Sequence, residues 1–165
     1  MEMKIKSGIG FDAHSFADNR RLILGGAVIP YSRGLDGHSD ADALTHAIID
    51  ALIGPALGKD IGALFPDTDS SYKDADSIKL LEITVDLLRQ NGWKIGNVDA
   101  VIIAQEPKMT PYISEMRGKL AAALGLPTDD VSVKATTTER LGFTGRKEGV
   151  AALATAAIYQ QREGK

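Results

Sequence analysis

The sequence contains no cysteine. Disulfides, thiolate nucleophiles and thiolate metal ligands are therefore excluded, and a reducing compartment suits the chain. No run of apolar residues approaches the roughly 20 needed to span a bilayer. The opening Met1-Glu2-Met3-Lys4-Ile5-Lys6 carries neither the apolar stretch of a signal peptide nor a transit segment, so a bacterial cytoplasm is the expected location. Basic charge is not in excess. The net charge is −3, which gives no general attraction to nucleic acid or to an anionic membrane. Any phosphate must be held locally, by a metal, by helix N-termini or by a few placed Lys and Arg. Repeats, low-complexity tracts and linkers are missing too. The 165 residues read as one domain, 1–165, with its own core.

Histidine is scarce, and its placement is informative. The three histidines, His14, His38 and His46, all fall in the first third of the chain. His38 and His46 lie in Gly37-His38-Ser39-Asp40-Ala41-Asp42-Ala43-Leu44-Thr45-His46. Ser39 reads as a helix N-cap and Asp42 as its capping-box partner. Leu44, Ile48, Ala51 and Leu52 form an apolar stripe at helical spacing. His46 falls opposite that stripe, alongside Ile49 and Ile53. A second apolar face predicts a helix covered on both sides.

Elsewhere the chain alternates strands and helices. Residues 4–12 predict a short strand ending in a Gly-rich turn, and Arg20 to Ile29, with Gly25-Gly26 inside it, a β-hairpin or bulged ribbon. Pro30 to Gly37 reads as a loop. Helices are predicted over Asp40 to Leu57, from Asp74-Ala75-Asp76-Ser77 to Asn91, and over Pro111 to Leu124. Val98 to Ala104 reads as a buried strand, and Val131 to Ala135 as a strand running into Thr136-Thr137-Thr138-Glu139. Asp60 to Asp69 is too rich in Gly, Pro and Asp for regular structure and predicts an ordered loop. Gly149 to Arg162 fits two descriptions: its alanines favour helix, while Val150, Ala152, Ala154, Ala156 and Ile158 also alternate as a strand with one face of small residues. The class is α/β or α+β around one sheet.

Four groups could carry chemistry. Asp12 and His14, two apart on an extended segment, share a face. With His46 they could supply three N or O ligands to a catalytic zinc whose fourth position stays open. The plainer reading, a loop histidine and a buried or interface one, is favoured by spacing alone, because no contiguous motif such as H-E-x-x-H is present. Thr136-Thr137-Thr138-Glu139, after a strand, could hold phosphate and Mg²⁺ or form a capped turn. Asp60, Asp67 and Asp69 could bind sugar hydroxyls or serve as turn formers. Gly142-Phe143-Thr144-Gly145-Arg146 with Glu148 suggests a tight turn presenting Phe143 and Arg146, or an ordinary surface loop. No convincing nucleophile–base pair is present.

Taken together, these segments resemble the 2-C-methyl-D-erythritol 2,4-cyclodiphosphate synthase family. The resemblance rests on Gly8-Ile9-Gly10-Phe11-Asp12-Ala13-His14, on Gly37 to Asp42 with His46, and on Asp60-Ile61-Gly62-Ala63-Leu64-Phe65-Pro66-Asp67-Thr68-Asp69. Gly96-Asn97-Val98-Asp99, Pro107-Lys108-Met109, Lys134 to Glu139 and Gly142 to Arg146 complete it, in family order along nearly the whole chain. Lys6-Ser7 replaces the family's usual Arg and aliphatic residue. Glu106 stands where a small or neutral residue is common.

The resemblance implies an α+β, two-layer fold, with a mixed sheet and helices packed on one face, assembled as a homotrimer with active sites between subunits. That assembly would explain a helix covered on both sides, and it favours strand for Gly149 to Arg162. The implied substrate is 4-diphosphocytidyl-2-C-methyl-D-erythritol 2-phosphate, cyclised with release of CMP. Asp12, His14 and His46 match ligands of Zn²⁺, and Glu139 a ligand of Mg²⁺ or Mn²⁺ on the diphosphate. His38 and Thr137 match residues that stabilise the transition state. Ser39, Asp60, Ile61, Gly62, Phe65, Pro66, Asp67, Thr68 and Asp69 match the methylerythritol pocket. Ala104, Pro107, Lys108, Met109, Thr110, Ala135, Thr136 and Thr137 match the nucleotide pocket. Phe143, Arg146 and Glu148 match an axial cavity that takes isoprenoid diphosphates. An intramolecular phosphate attack brings its own nucleophile, so the missing nucleophile–base pair agrees with this chemistry. The alternatives are a zinc-dependent phosphoesterase and a non-enzymatic, metal-stabilised oligomeric binding module.

Overall fold

The computed structural model describes residues 2–162; Met1 and 163–165, the ends of the expected 1–165 domain, lie outside the described residues. Strand β1 (Glu2–Ala17) runs straight through the Gly-rich motif instead of turning there. Gly8 and Gly10 lie on the face of β1 that meets helix α1 (Ala43–Leu57). A Cβ on Gly8 would collide with the Ala51 carbonyl and the Pro55 ring, and one on Gly10 with the Ala47 carbonyl. Pro55 lacks the amide that would have bonded the Ala51 carbonyl within the helix, and this is the carbonyl that lies against Gly8. The glycines are therefore needed for close helix–strand contact.

Helix α1 starts three residues later than the sequence suggests, at Ala43 instead of Asp40. Its N-cap is Asp42, whose carboxylate accepts from the Thr45 amide at 2.9 Å. Ser39 does not cap the helix. Its hydroxyl accepts from the Ala41 amide and faces His46. Asp42 is fully buried and also receives the amides of Gly25 (2.9 Å) and Gly26 (2.8 Å). Those two glycines, at φ 56° and 72°, form a two-residue turn between β2 (Leu22–Leu24) and β3 (Ala27–Ile29), so the segment is the hairpin rather than the bulged ribbon. One carboxylate thus ties the hairpin to the start of α1.

The expected loops contain short elements. Gly34–Leu35 forms β4 against the end of β1. Asp60 caps a short helix, α2 (Ile61–Leu64), and Asp69 caps a 3-10 turn over Ser70–Tyr72. Helix α3 (Ser77–Gln90), strand β5 (Lys94–Ile103), helix α4 (Ile113–Leu124), strand β6 (Val131–Thr136), the short helix α5 (Gly142–Gly145) and strand β7 (Gly149–Arg162) complete the chain.

The main sheet has the order β4-β1-β7-β5-β6. Only β5 and β6 pair in parallel; the other pairings are antiparallel. Gly149 to Arg162 is strand, and the register explains its alanines. Ala152 and Ala154 pair with Asp12 and Gly10, on the face that α1 crosses. Small side chains there let the helix approach. Alanine thus serves packing, and its helix propensity is overridden. The second covering of α1 is provided within the chain: Ile49 and Ile53 are buried, and α3, with Leu81, Val85 and Leu88 buried, packs against α1. No second subunit is needed to account for it. Among the described residues, no helix covers the other sheet face. Ile9 is 69% exposed and Phe11 56%, and Leu153 and Val101 lie in register beside Phe11.

Candidate metal centre and its cavity

Asp12 and His14 project from the same face of β1 as Gly8 and Gly10, toward α1. Because α1 rides so close over Gly10, His46, next to Ala47, reaches them. Asp12 Oδ2 lies 2.8 Å from His14 Nε2 and 3.0 Å from His46 Nδ1. The two ring nitrogens are 3.4 Å apart. Bonds of about 2.1 Å at tetrahedral angles imply ligand separations of about 3.4 Å. The histidine pair already has that spacing, and the carboxylate needs only to open slightly. These three residues form a group able to hold a metal ion.

The opposite edges of both rings are engaged. His14 Nδ1 donates to the Asp36 carbonyl at 2.7 Å. His46 Nε2 lies 2.8 Å from Ser77 Oγ and 3.1 Å from Ser39 Oγ. Such outer contacts orient metal-binding imidazoles. Burial would raise the Asp12 carboxyl, but the hydrogen bonds and charges of His14 and His46 outweigh it and hold it at about 2. Burial would lower His14, but its bond to Asp12 and the charge there, with help from Asp36, push it above its ordinary 6.5. Without a cation, the triad keeps an ionised carboxylate against a histidine inclined to hold a proton.

The triad opens into a cavity of about 250 Å³, lined also by Gly37, His38, Ser39, Ile61, Gly62, Phe65, Asp67, Tyr72 and Leu80. His38 Nε2 donates to the Asp69 carbonyl at 3.3 Å. Asp60 is turned to capping, accepting from the Ala63 amide at 2.8 Å. Asp69 accepts from Ser71, which holds its carboxyl below the ordinary carboxylate range. Pro66, Thr68 and Asp69 sit exposed in the loop beside the cavity. Within the His-Ser-Asp-Ala-Asp stretch, His38 and Ser39 face the cavity while Asp40 and Asp42 bind backbone amides of the scaffold.

The other half of the predicted set lies apart. Ala104, Pro107, Lys108, Met109 and Thr110 follow β5, and Ala135, Thr136, Thr137 and Glu139 end β6; none lines this cavity. The Ala104 amide donates to the Thr136 carbonyl at 3.0 Å, which joins the two segments. Thr137 Oγ1 donates to Glu139 at 3.1 Å, and both are exposed. Glu106 pairs with Lys147 at 2.6 Å. Phe143, on α5, is 41% exposed, and Arg146 makes a two-point pair with Glu148 at 2.9 and 3.3 Å. Sequence reasoning missed Tyr72 and Leu80 in the lining, and the partnership of Ser77 and Asp40 behind His46. No spacing signal marks contacts between separate helix starts.

A mixed sheet backed by one helical layer, with an Asp-His-His group opening into a cavity, defines an α+β protein with a group able to hold a metal ion. The YgbB family model matches residues 5–159, and the chain belongs to that family. It is 58% identical over 146 residues to the 2-C-methyl-D-erythritol 2,4-cyclodiphosphate synthase of Clostridium perfringens, covering 88% of this chain and 94% of that one. The enzyme of the same name from Bacillus subtilis is 54% identical over 153 residues, covering 93% and 97%. Among solved structures, the bifunctional IspDF of Campylobacter jejuni superposes with a TM-score of 0.93 at 42% identity over 97% of this chain, which spans 43% of that longer protein. The Plasmodium falciparum IspF complex with CDP gives 0.82 at 31% identity, covering 96% and 97%.

Proposed function

We propose that this chain converts 4-diphosphocytidyl-2-C-methyl-D-erythritol 2-phosphate into 2-C-methyl-D-erythritol 2,4-cyclodiphosphate and CMP. The convergence of Asp12, His14 and His46 at the mouth of a cavity carries the reading, and the relatives' shared name supports it. In the reaction a 2-phosphate oxygen attacks the β-phosphorus, that phosphorus–oxygen bond forms, and the bond to CMP breaks. The substrate supplies its own nucleophile, so the protein must align two anions and offset their charge.

The donor set, one carboxylate and two imidazoles with a free side toward the cavity, fits zinc. Asp12, His14 and His46 would hold that ion, and Glu139 would hold Mg²⁺ or Mn²⁺. When bound, these ions supply positive charge to the diphosphate oxygens. Ser39, Ile61, Gly62, Phe65 and Asp67 enclose the methylerythritol unit, with Asp60, Pro66, Thr68 and Asp69 shaping the loop around it. Ala104, Pro107 to Thr110 and Ala135 to Thr137 hold the cytidine and α-phosphate; the CDP complex of the Plasmodium relative supports a nucleotide site. His38 and Thr137 donate hydrogen bonds to oxygens that gain charge in the transition state.

The working unit is a homotrimer of one-domain chains. The helix-free sheet face, with Ile9 and Phe11 exposed, supports packing against neighbours. The nucleotide residues do not line the cavity of their own chain, so a neighbour's set completes each site. An isoprenoid diphosphate occupies an axial cavity bordered by Phe143, Arg146 and Glu148. Farnesyl diphosphate should raise the melting temperature of wild type but not of Arg146→Ala; equal shifts would remove that ligand. The reaction itself is tested by phosphorus NMR of the zinc- and magnesium-loaded protein with the diphosphocytidyl substrate. Two coupled product signals and stoichiometric CMP are expected. Inorganic phosphate would instead identify a phosphoesterase, and unconsumed substrate a binding module.

A further inference from the structure

His46 presents a protonation choice that its own element does not settle. Its Nδ1 faces Asp12 Oδ2 at 3.0 Å and His14 Nε2 at 3.4 Å, so Nδ1 is the atom available to a cation. A neutral imidazole carries one ring proton. The Asp12 carboxylate accepts only, and it draws that proton to Nδ1, where it would block the metal. Something on the other edge must hold the proton at Nε2.

The Nε2 edge meets two hydroxyls, Ser77 Oγ at 2.8 Å and Ser39 Oγ at 3.1 Å. A hydroxyl can donate or accept, so neither decides alone. Asp40 decides. Its Oδ1 receives the Ser77 hydroxyl proton, and its Oδ2 receives the Ser77 amide at 3.0 Å. A carboxylate has no proton to return. With its hydrogen committed, Ser77 Oγ can only accept, and the donor it faces is His46 Nε2–H. Ser77 is 0% exposed, so water does not stand in for its hydroxyl. For His14 the Asp36 carbonyl fixes Nδ1–H in the same sense. We propose that Ser77, backed by Asp40, is a positioning residue that keeps the proton of His46 on Nε2 and its Nδ1 lone pair toward the metal. The inference rests on the metal reading of Asp12, His14 and His46.

Zinc affinity of the full chain, measured by chelator competition below the melting temperature of each metal-free variant, tests it. Ser77→Ala removes one hydroxyl and keeps the backbone amide that Asp40 holds, so the start of α3 survives. Loss of an outer partner of a metal ligand costs about 10–100-fold in affinity, and that range is expected. Asp40→Asn should weaken zinc in the same direction, because an amide offers one acceptor oxygen to the three donors Ser77 Oγ, the Ser77 amide and the Asp42 amide. The double variant should lose no more than the weaker single variant, since the two residues act in series. A cobalt(II)-loaded wild type should show slowly exchanging, paramagnetically shifted protons on His14 Nδ1 and His46 Nε2, and Ser77→Ala should speed exchange of the second alone. A wild type that binds no zinc would overturn the metal reading itself. Tight zinc binding by wild type with a Ser77→Ala affinity within about twofold, against the 10–100-fold expected, would overturn this inference alone. So would a double variant that loses the sum of the two single effects.

Discussion

Replacing Gly10 with alanine adds one methyl group, and the structure places it against backbone. The new Cβ would overlap the Ala47 carbonyl oxygen and come within 2.8 Å of the Ala51 amide nitrogen. Neither can rotate away as a side chain could, so α1 must lift from β1. Overpacking of this kind costs on the order of 3 kcal/mol. For a chain of this size that corresponds to about 10 °C in melting temperature. The functional cost is separate. Ala47 follows His46 directly, and Gly10 lies two residues before Asp12, so the lift acts where the triad is assembled. Metal sites tolerate ligand displacements of only about 0.2 Å, and zinc affinity should fall about 100-fold or more, as for loss of a ligand's support. Metal-free thermal melts by circular dichroism and chelator competition read the two effects independently. Gly118→Ala in α4 is the matched control, because nothing lies within 4 Å of its Cβ, and it should gain about 1 kcal/mol from helix propensity. If Gly10→Ala melts and binds zinc like Gly118→Ala, the close-contact argument for the glycine motif is refuted.

Other perturbations test other links. The His14 pKa is raised above 6.5 in the metal-free fold, so its stabilising contribution is complete below the unfolded value and fades as pH rises through the folded one. Zinc affinity should run the other way, falling about tenfold per pH unit below the raised His14 pKa as one proton competes; a pH-independent affinity between pH 5 and 8, the range in which histidines titrate, would contradict it. Asp42→Ala removes the N-cap of α1 and strands the buried Gly25 amide, costing on the order of 3 kcal/mol in denaturant melts. Phe11→Glu on the exposed sheet face should yield monomers by analytical ultracentrifugation and abolish CMP release while leaving zinc bound. A fully trimeric Phe11→Glu protein would remove that face from the subunit contact.

Much of the site was legible because its residues are unusual in type. Three histidines in a chain without cysteine narrow the metal ligands, and the two-residue spacing of Asp12 and His14 puts them on one strand face. The role of Gly8 and Gly10 was not legible. A glycine pair signals a turn as readily as close contact, and only the helix crossing over β1 distinguishes the two. The Ser39 cap failed for a related reason: its hydroxyl faces His46, seven residues along the chain, a contact that no capping rule anticipates. The alanines of β7 misled through propensity, because their small size serves the helix packed above them. Ser77 and Asp40 carry no signature of their own, since serine and aspartate at helix starts normally mean capping.

The central claim is that one cation sits among three named atoms with a side open to the cavity. Anomalous scattering at the zinc edge, from crystals of the zinc-loaded protein, tests it most directly. One peak per chain is expected, about 2.0–2.2 Å from Asp12 Oδ2, His14 Nε2 and His46 Nδ1. A peak bound through His46 Nε2, or a zinc ion held elsewhere with the triad left empty, would contradict the account.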